Sequence, residues 1–266
     1  MALWRRRRHP KNQPPHETTT VVVDSPWSVV LELASLRLES GDVAFAEEQF
    51  RQVMDMGDPP RAAIAAFNLG QLLRRRGDLT AARDAYRRAV HADDADLAGQ
   101  SGINLSYVLR QLGDMAGADE CLRVVITAGH RDHSPRAANE LARMAMEDGR
   151  TEGAEDVFRQ VIRAHHPVES LAASVHLAQL LLRRGDLDDA EQALLPVLEA
   201  GQGDFLAPAH LIHGEIRLRR EDVPGARRSL TLAGELGDEQ VAAMAKDRLR
   251  LLPPEHPDAE PQPRKD

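Results

Sequence analysis

The chain has 266 residues, 42% of them hydrophobic and 3% aromatic, with a formal net charge of −8 at neutral pH. That charge argues against a general nucleic-acid binder, and a single cysteine, Cys121, excludes an internal disulfide framework and suits the reducing cytoplasm. No stretch approaches 18 consecutive apolar residues, so no membrane span is expected.

Residues 1–24 are rich in Pro, Arg and Thr and read as a disordered tail. Its run Arg5, Arg6, Arg7 and Arg8 precedes no apolar segment, which removes a secretion signal and leaves weak contact with an anionic surface. Pro26 suits the first position of a helix, and Trp27 is placed to cover the end of the stack that follows.

From there to residue 237 the chain repeats every 36 residues. The steps land on Gly41, Gly77, Gly113, Gly149, Gly185 and Glu221, followed by Asp42, Asp78, Asp114, Arg150, Asp186 and Asp222. Five residues after each anchor stands Ala46, Ala82, Ala118, Ala154, Ala190 or Ala226. Seven before it the residue is always small: Ala34, Gly70, Ser106, Ala142, Ala178 or Gly214. Glycine ends one helix in a left-handed conformation and aspartate caps the next, so each copy predicts two antiparallel helices. Small residues facing the alanines let the helices approach. Phe50, Tyr86, Leu122, Phe158, Leu194 and Leu230, nine residues past the anchors, are expected to fill the space between successive pairs. One pair cannot bury its apolar face alone, so the copies stack. Breaks fall near residues 57–60, 93–94, 129–130, 166–167 and 201–203. The sixth copy is the most altered, a last helix is predicted over residues 238–252 with Val241, Met244, Ala245 and Leu249 on one side, and residues 253–266 read as a second disordered tail.

Asn68-Leu69-Gly70, Gly77, Ala82, Tyr86 and Ala89, with their counterparts, resemble the tetratricopeptide repeat. The family's early Trp is missing, and so is its Pro near the repeat end. The resemblance implies an all-α fold, an α-solenoid of antiparallel helix pairs in a right-handed superhelix, with six repeats over residues 25–237 and the first helices lining a concave groove. It also implies a non-catalytic scaffold that binds a protein or peptide segment. The alternative is a peptide-sensing regulator whose superhelix changes shape on binding.

By analogy, the groove would present Asn68, Gln71 and Arg74 from the second copy, and Gln100, Asn104, Tyr107 and Arg110 from the third. The fourth adds Arg136, Asn139 and Arg143, and the fifth Gln179. Arginine binds carboxylates through paired hydrogen bonds and amides can pair with a peptide backbone, so this set favours an extended, acidic segment. Arginines in last turns, Arg74 among them, also complement helix dipoles. Asn104 and Arg136 match two places of the carboxylate clamp of some relatives. Phe67, Gln71 and Glu140 occupy the others, so the clamp is incomplete.

No phosphate loop, cysteine pair, zinc-binding helix or nucleophile elbow occurs, so neither catalysis nor a cofactor is expected. His130 with His133, and His210 with His213, are each three residues apart. Neither pair has further ligands in its own neighbourhood, so no metal is expected.

Overall fold

The structure, a computed structural model, describes residues 26–151 and 153–253. The arginine run, the first proposed tail, residues 254–266 of the second and the side chain of Trp27 lie outside the described residues. Among the described residues there are thirteen helices and no strand. Six pairs follow one another: α1 (Pro26–Glu39) with α2 (Val43–Asp55), α3 (Pro59–Arg76) with α4 (Leu79–Ala89), and α5 (Ala95–Gln111) with α6 (Met115–Ala128). Next come α7 (His133–Glu147) with α8 (Ala154–Arg163), α9 (Glu169–Arg184) with α10 (Leu187–Ala200), and α11 (Leu206–Arg219) with α12 (Val223–Leu236). A single helix, α13 (Glu239–Arg250), ends the series.

The left-handed turn anticipated from the repeat is present at every anchor, and the aspartate cap at four of the six. Gly41, Gly77, Gly113, Gly149 and Gly185 have φ between 78° and 96°, and Glu221 takes the same left-handed conformation at φ 61°. Asp42, Asp78, Asp114 and Asp222 then cap the following helix, each carboxylate accepting the backbone N–H three residues on. Asp186 makes no such cap bond and pairs with Arg184 instead. Arg150, in the fourth copy, bonds Asp119 and Asp148 at 3.0 Å each.

Packing within a pair follows from residue size. The six alanines past the anchors are at most 2% exposed, and the large residues nine past the anchors are fully buried. A Cβ added at Gly70 would stand 2.8 Å from the Tyr86 ring, and one at Gly214 would stand 2.7 Å from Leu230. In these two copies the small residue of the first helix is therefore a notch for the large residue of its own partner helix. Contact with the following pair is also present: Phe158 meets the His176 ring of α9, centroids 5.6 Å apart.

The chain divides into two compact units, Met1–Val157 and Phe158–Asp266, with the boundary inside α8. In the first, one continuous core runs from Leu31 and Ala34 of α1 to Ala137 and Met144 of α7, and α5 touches both α3 and α7. In the second, α9 packs on α10 and α11, and α13 covers α12 through Val241 and Ala245, which join Leu230 and Ala233 in one cluster. No helix of the described residues is long and apolar enough to cross a membrane.

Candidate binding surface

The first helices α3, α5 and α7 of the first unit carry ten of the eleven residues singled out from the sequence. Their buried stripes (Ala66, Leu69, Leu73 on α3; Ile103, Leu105, Leu109 on α5; Ala137, Met144 on α7) fix how each helix is rotated. Asn68, Gln71, Gln100, Asn104, Tyr107, Arg110, Arg136 and Arg143 are consequently half-buried, and Arg74 is exposed. Asn139 is 3% exposed and offers little surface. Gln179, half-buried on α9, belongs to the second unit.

The structure brings four of these side chains into one polar cluster between α5 and α7. Arg143 is bonded to Glu140 at 2.7 Å and also pairs with Glu147, which in turn receives Arg110. Burial alone would lower the Arg143 pKa, but the charges of Glu140 and Glu147 prevail and hold it above the ordinary value. Burial raises the Tyr107 phenol strongly, and the Glu140 carboxylate beside it raises it further. Tyr107 therefore stays protonated and donates to Glu140. Arg136 and Arg143 oppose that shift through their charge, which places Arg136 in the same cluster. Arg136 has no carboxylate partner among the described residues. Three guanidiniums thus share two carboxylates, and one positive charge is left over.

The sequence reading singled out Arg110, Arg136 and Arg143 without their carboxylates Glu140 and Glu147 as partners. Arg110 and Glu147 are 37 residues apart, one repeat and one position, the offset at which adjacent first helices meet here. Scanning opposite charges at that offset would have found the pair.

Other arginines serve the helices themselves. Arg88 donates to the Met54 carbonyl at 2.9 Å and Arg219 to the Leu182 carbonyl at 2.6 Å, each satisfying an acceptor near the end of a neighbouring helix. In the second unit Glu191 receives Arg217 at 2.6 Å and Arg220 at 2.5 Å, with His213 Nε2 3.2 Å away. Burial pushes the Glu191 carboxyl up, yet the bonds from Arg220 and His213 and the charge of both arginines outweigh it and hold it below the usual range.

An all-α series of helices that keeps a left-handed turn at each anchor, with a polar face on its first helices, defines the class as a helical-repeat interaction scaffold. The tetratricopeptide repeat family matches residues 31–96, 103–169, 139–205 and 175–240, more than half of the chain, which belongs to that family. Among solved structures it is similar to that of pilF of Pseudomonas aeruginosa, with a TM-score of 0.63, 16% identity, and coverage of 84% of this chain and 96% of that one. A tetratricopeptide repeat protein of Parabacteroides merdae gives a TM-score of 0.53 at 19% identity, covering 85% and 98% respectively. The Cut9-Hcn1 hetero-tetramer of the APC/C gives 0.61 at 18% identity, over 86% of this chain and 43% of that chain. No curated protein matches the sequence.

Proposed function

We propose that the protein is a non-catalytic scaffold, acting in the cytoplasm, that holds an extended acidic segment of another protein on the face formed by α3, α5 and α7. The observation that carries this reading is the uncompensated charge of Arg136 beside Tyr107, where Glu140 and Glu147 already hold Arg110 and Arg143. A carboxylate of the bound segment completes the set by bonding Arg136, and Arg74 supplies a second, exposed guanidinium on α3, beyond α5. Asn68 and Gln71, on the same helix as Arg74, and Asn104 on α5 offer amides to a peptide backbone. Gln100, Asn139 and Gln179 take lesser parts: the first is bonded to Asp96, the second is buried, and the third stands in the other unit.

The test is binding of fluorescein-labelled Asp/Glu-rich peptides, with Lys-rich peptides as the control. Arg136→Glu removes the free cation without breaking a salt bridge. It should weaken acidic-peptide binding at least about tenfold, or about 1.4 kcal/mol, with the melting midpoint unchanged. Equal binding by wild type and variant would reject the assignment.

A further inference from the structure

The sequence leaves His130 and His133 short of ligands, but the fold supplies a third. Asp96, in the first turn of α5, comes to the start of α7, and its Oδ1 lies 2.7 Å from Nε2 of His133. The His130 and His133 rings lie side by side, centroids 4.6 Å apart and planes 22° from parallel. One ligand atom from each of Asp96, His130 and His133 falls within 4.8 Å of the others. We propose that these three residues form a two-histidine, one-carboxylate site for a transition-metal dication of the Zn2+ class.

The surroundings are those of a built site. His133 is 6% exposed, and its ring rests on α5 only because residue 99 is glycine. A Cβ there would stand 2.6 Å from His133 Cδ2. Gln100 Nε2 donates to Oδ2 of Asp96 at 2.8 Å, fixing the carboxylate from behind while Oδ1 faces the imidazole. Metal-ligating side chains are characteristically held this way by a second ring of hydrogen bonds. Imidazole nitrogens with one carboxylate oxygen suit Zn2+, and three protein ligands leave a fourth position for water.

Binding asks for small adjustments. Zn2+ with ligands at about 2.0–2.1 Å spaces them about 3.3 Å apart. The His133–Asp96 hydrogen bond opens, the ion replaces the proton between Nε2 and Oδ1, and the ring becomes the Nδ1–H tautomer. His130 is the ligand that must turn. Its Nδ1 accepts the Asp132 N–H at 3.4 Å, a long contact that is given up when Nε2 ligates and Nδ1 carries the proton. His130 precedes α7 and is half-buried, and Asp96 is exposed, so both move more freely than His133.

Calorimetric titration of the full chain with ZnCl2 alone, in a buffer that does not chelate, tests the site. One ion should bind per chain, and the metal should raise the melting midpoint. Asp96→Asn and His130→Ala should each weaken binding at least about tenfold while leaving the metal-free midpoint unchanged. His210→Ala, outside the site, should bind as wild type does. Absence of Zn2+ binding, or affinity unaltered in both site variants, would overturn the proposal.

Discussion

Glu221 shows how much one position of the repeat constrains its occupant. In five copies the anchor is glycine, which adopts a positive φ without a Cβ clash. In the sixth, glutamate is held at φ 61° by the same turn, since its N–H bonds the Leu218 carbonyl and Asp222 N–H bonds that of Arg217. The left-handed conformation costs a residue with a Cβ about 1–2 kcal/mol, partly offset because glycine has more freedom to lose on folding. Glu221→Gly should therefore stabilise the protein by about 0.5–1 kcal/mol and raise the melting midpoint by about 2 °C. Thermal denaturation of the two proteins side by side decides it. A lowered midpoint would mean that the glutamate side chain contributes more than its backbone costs.

At the scale of elements, what holds α10 to α11 differs from what holds most pairs. Glu191 of α10 is bound by Arg217 of α11 and by Arg220 at its end, and the folded state keeps its carboxyl ionised below the usual range. A depressed folded-state pKa gives stability that is complete above the unfolded value of about 4.5 and is lost as pH falls through the folded value. Between about pH 5 and about pH 3 the wild-type midpoint should fall more steeply than that of Glu191→Gln, which has no such proton to take up. Parallel curves would show that the three side chains contribute nothing linked to this proton. The contrast between elements also explains what could be read in advance. Turn glycines, capping aspartates and invariant alanines act within one hairpin, so their spacing shows in a single sequence. The contacts of Arg110 with Glu147 and of His133 with Asp96 join neighbouring first helices across 37 residues. They depend on how those helices are rotated, which the periodicity fixes only loosely. The residue types were visible, but their partners were not. The same is true of Gly99, whose value lies in the ring it admits from another helix.

For the molecule as a whole, repeat architecture makes stability a sum of neighbour contacts, so it varies along the chain. Helix α5 packs on α3, α4, α6 and α7 and buries Ile103, Leu105, Val108 and Leu109 at no more than 3% exposure. In the second unit, α9 buries Ala173, Val175, Leu177, Ala178 and Leu181 to the same degree. Helix α1 meets only α2 and α3 among the described residues. It leaves Val29, Leu33 and Leu36 between 42% and 56% exposed. Helix α13 contacts α12 and α11 and buries Val241 and Ala245 alone. The described side chains of α1 and those of α13 therefore bury far less apolar surface than those of α5 or α9, at about 25 cal/mol for each Å2. Native-state hydrogen exchange should show the amides of α1 and α13 exchanging through local opening. Those of α5 and α9 should exchange only with the opening of the unit that contains them. Denaturant distinguishes the two modes, because local opening is nearly insensitive to it and larger opening is not. Uniform protection from α1 to α13 would mean that the terminal helices are bound to the rest as firmly as the central ones, and the neighbour-by-neighbour account of stability would fail.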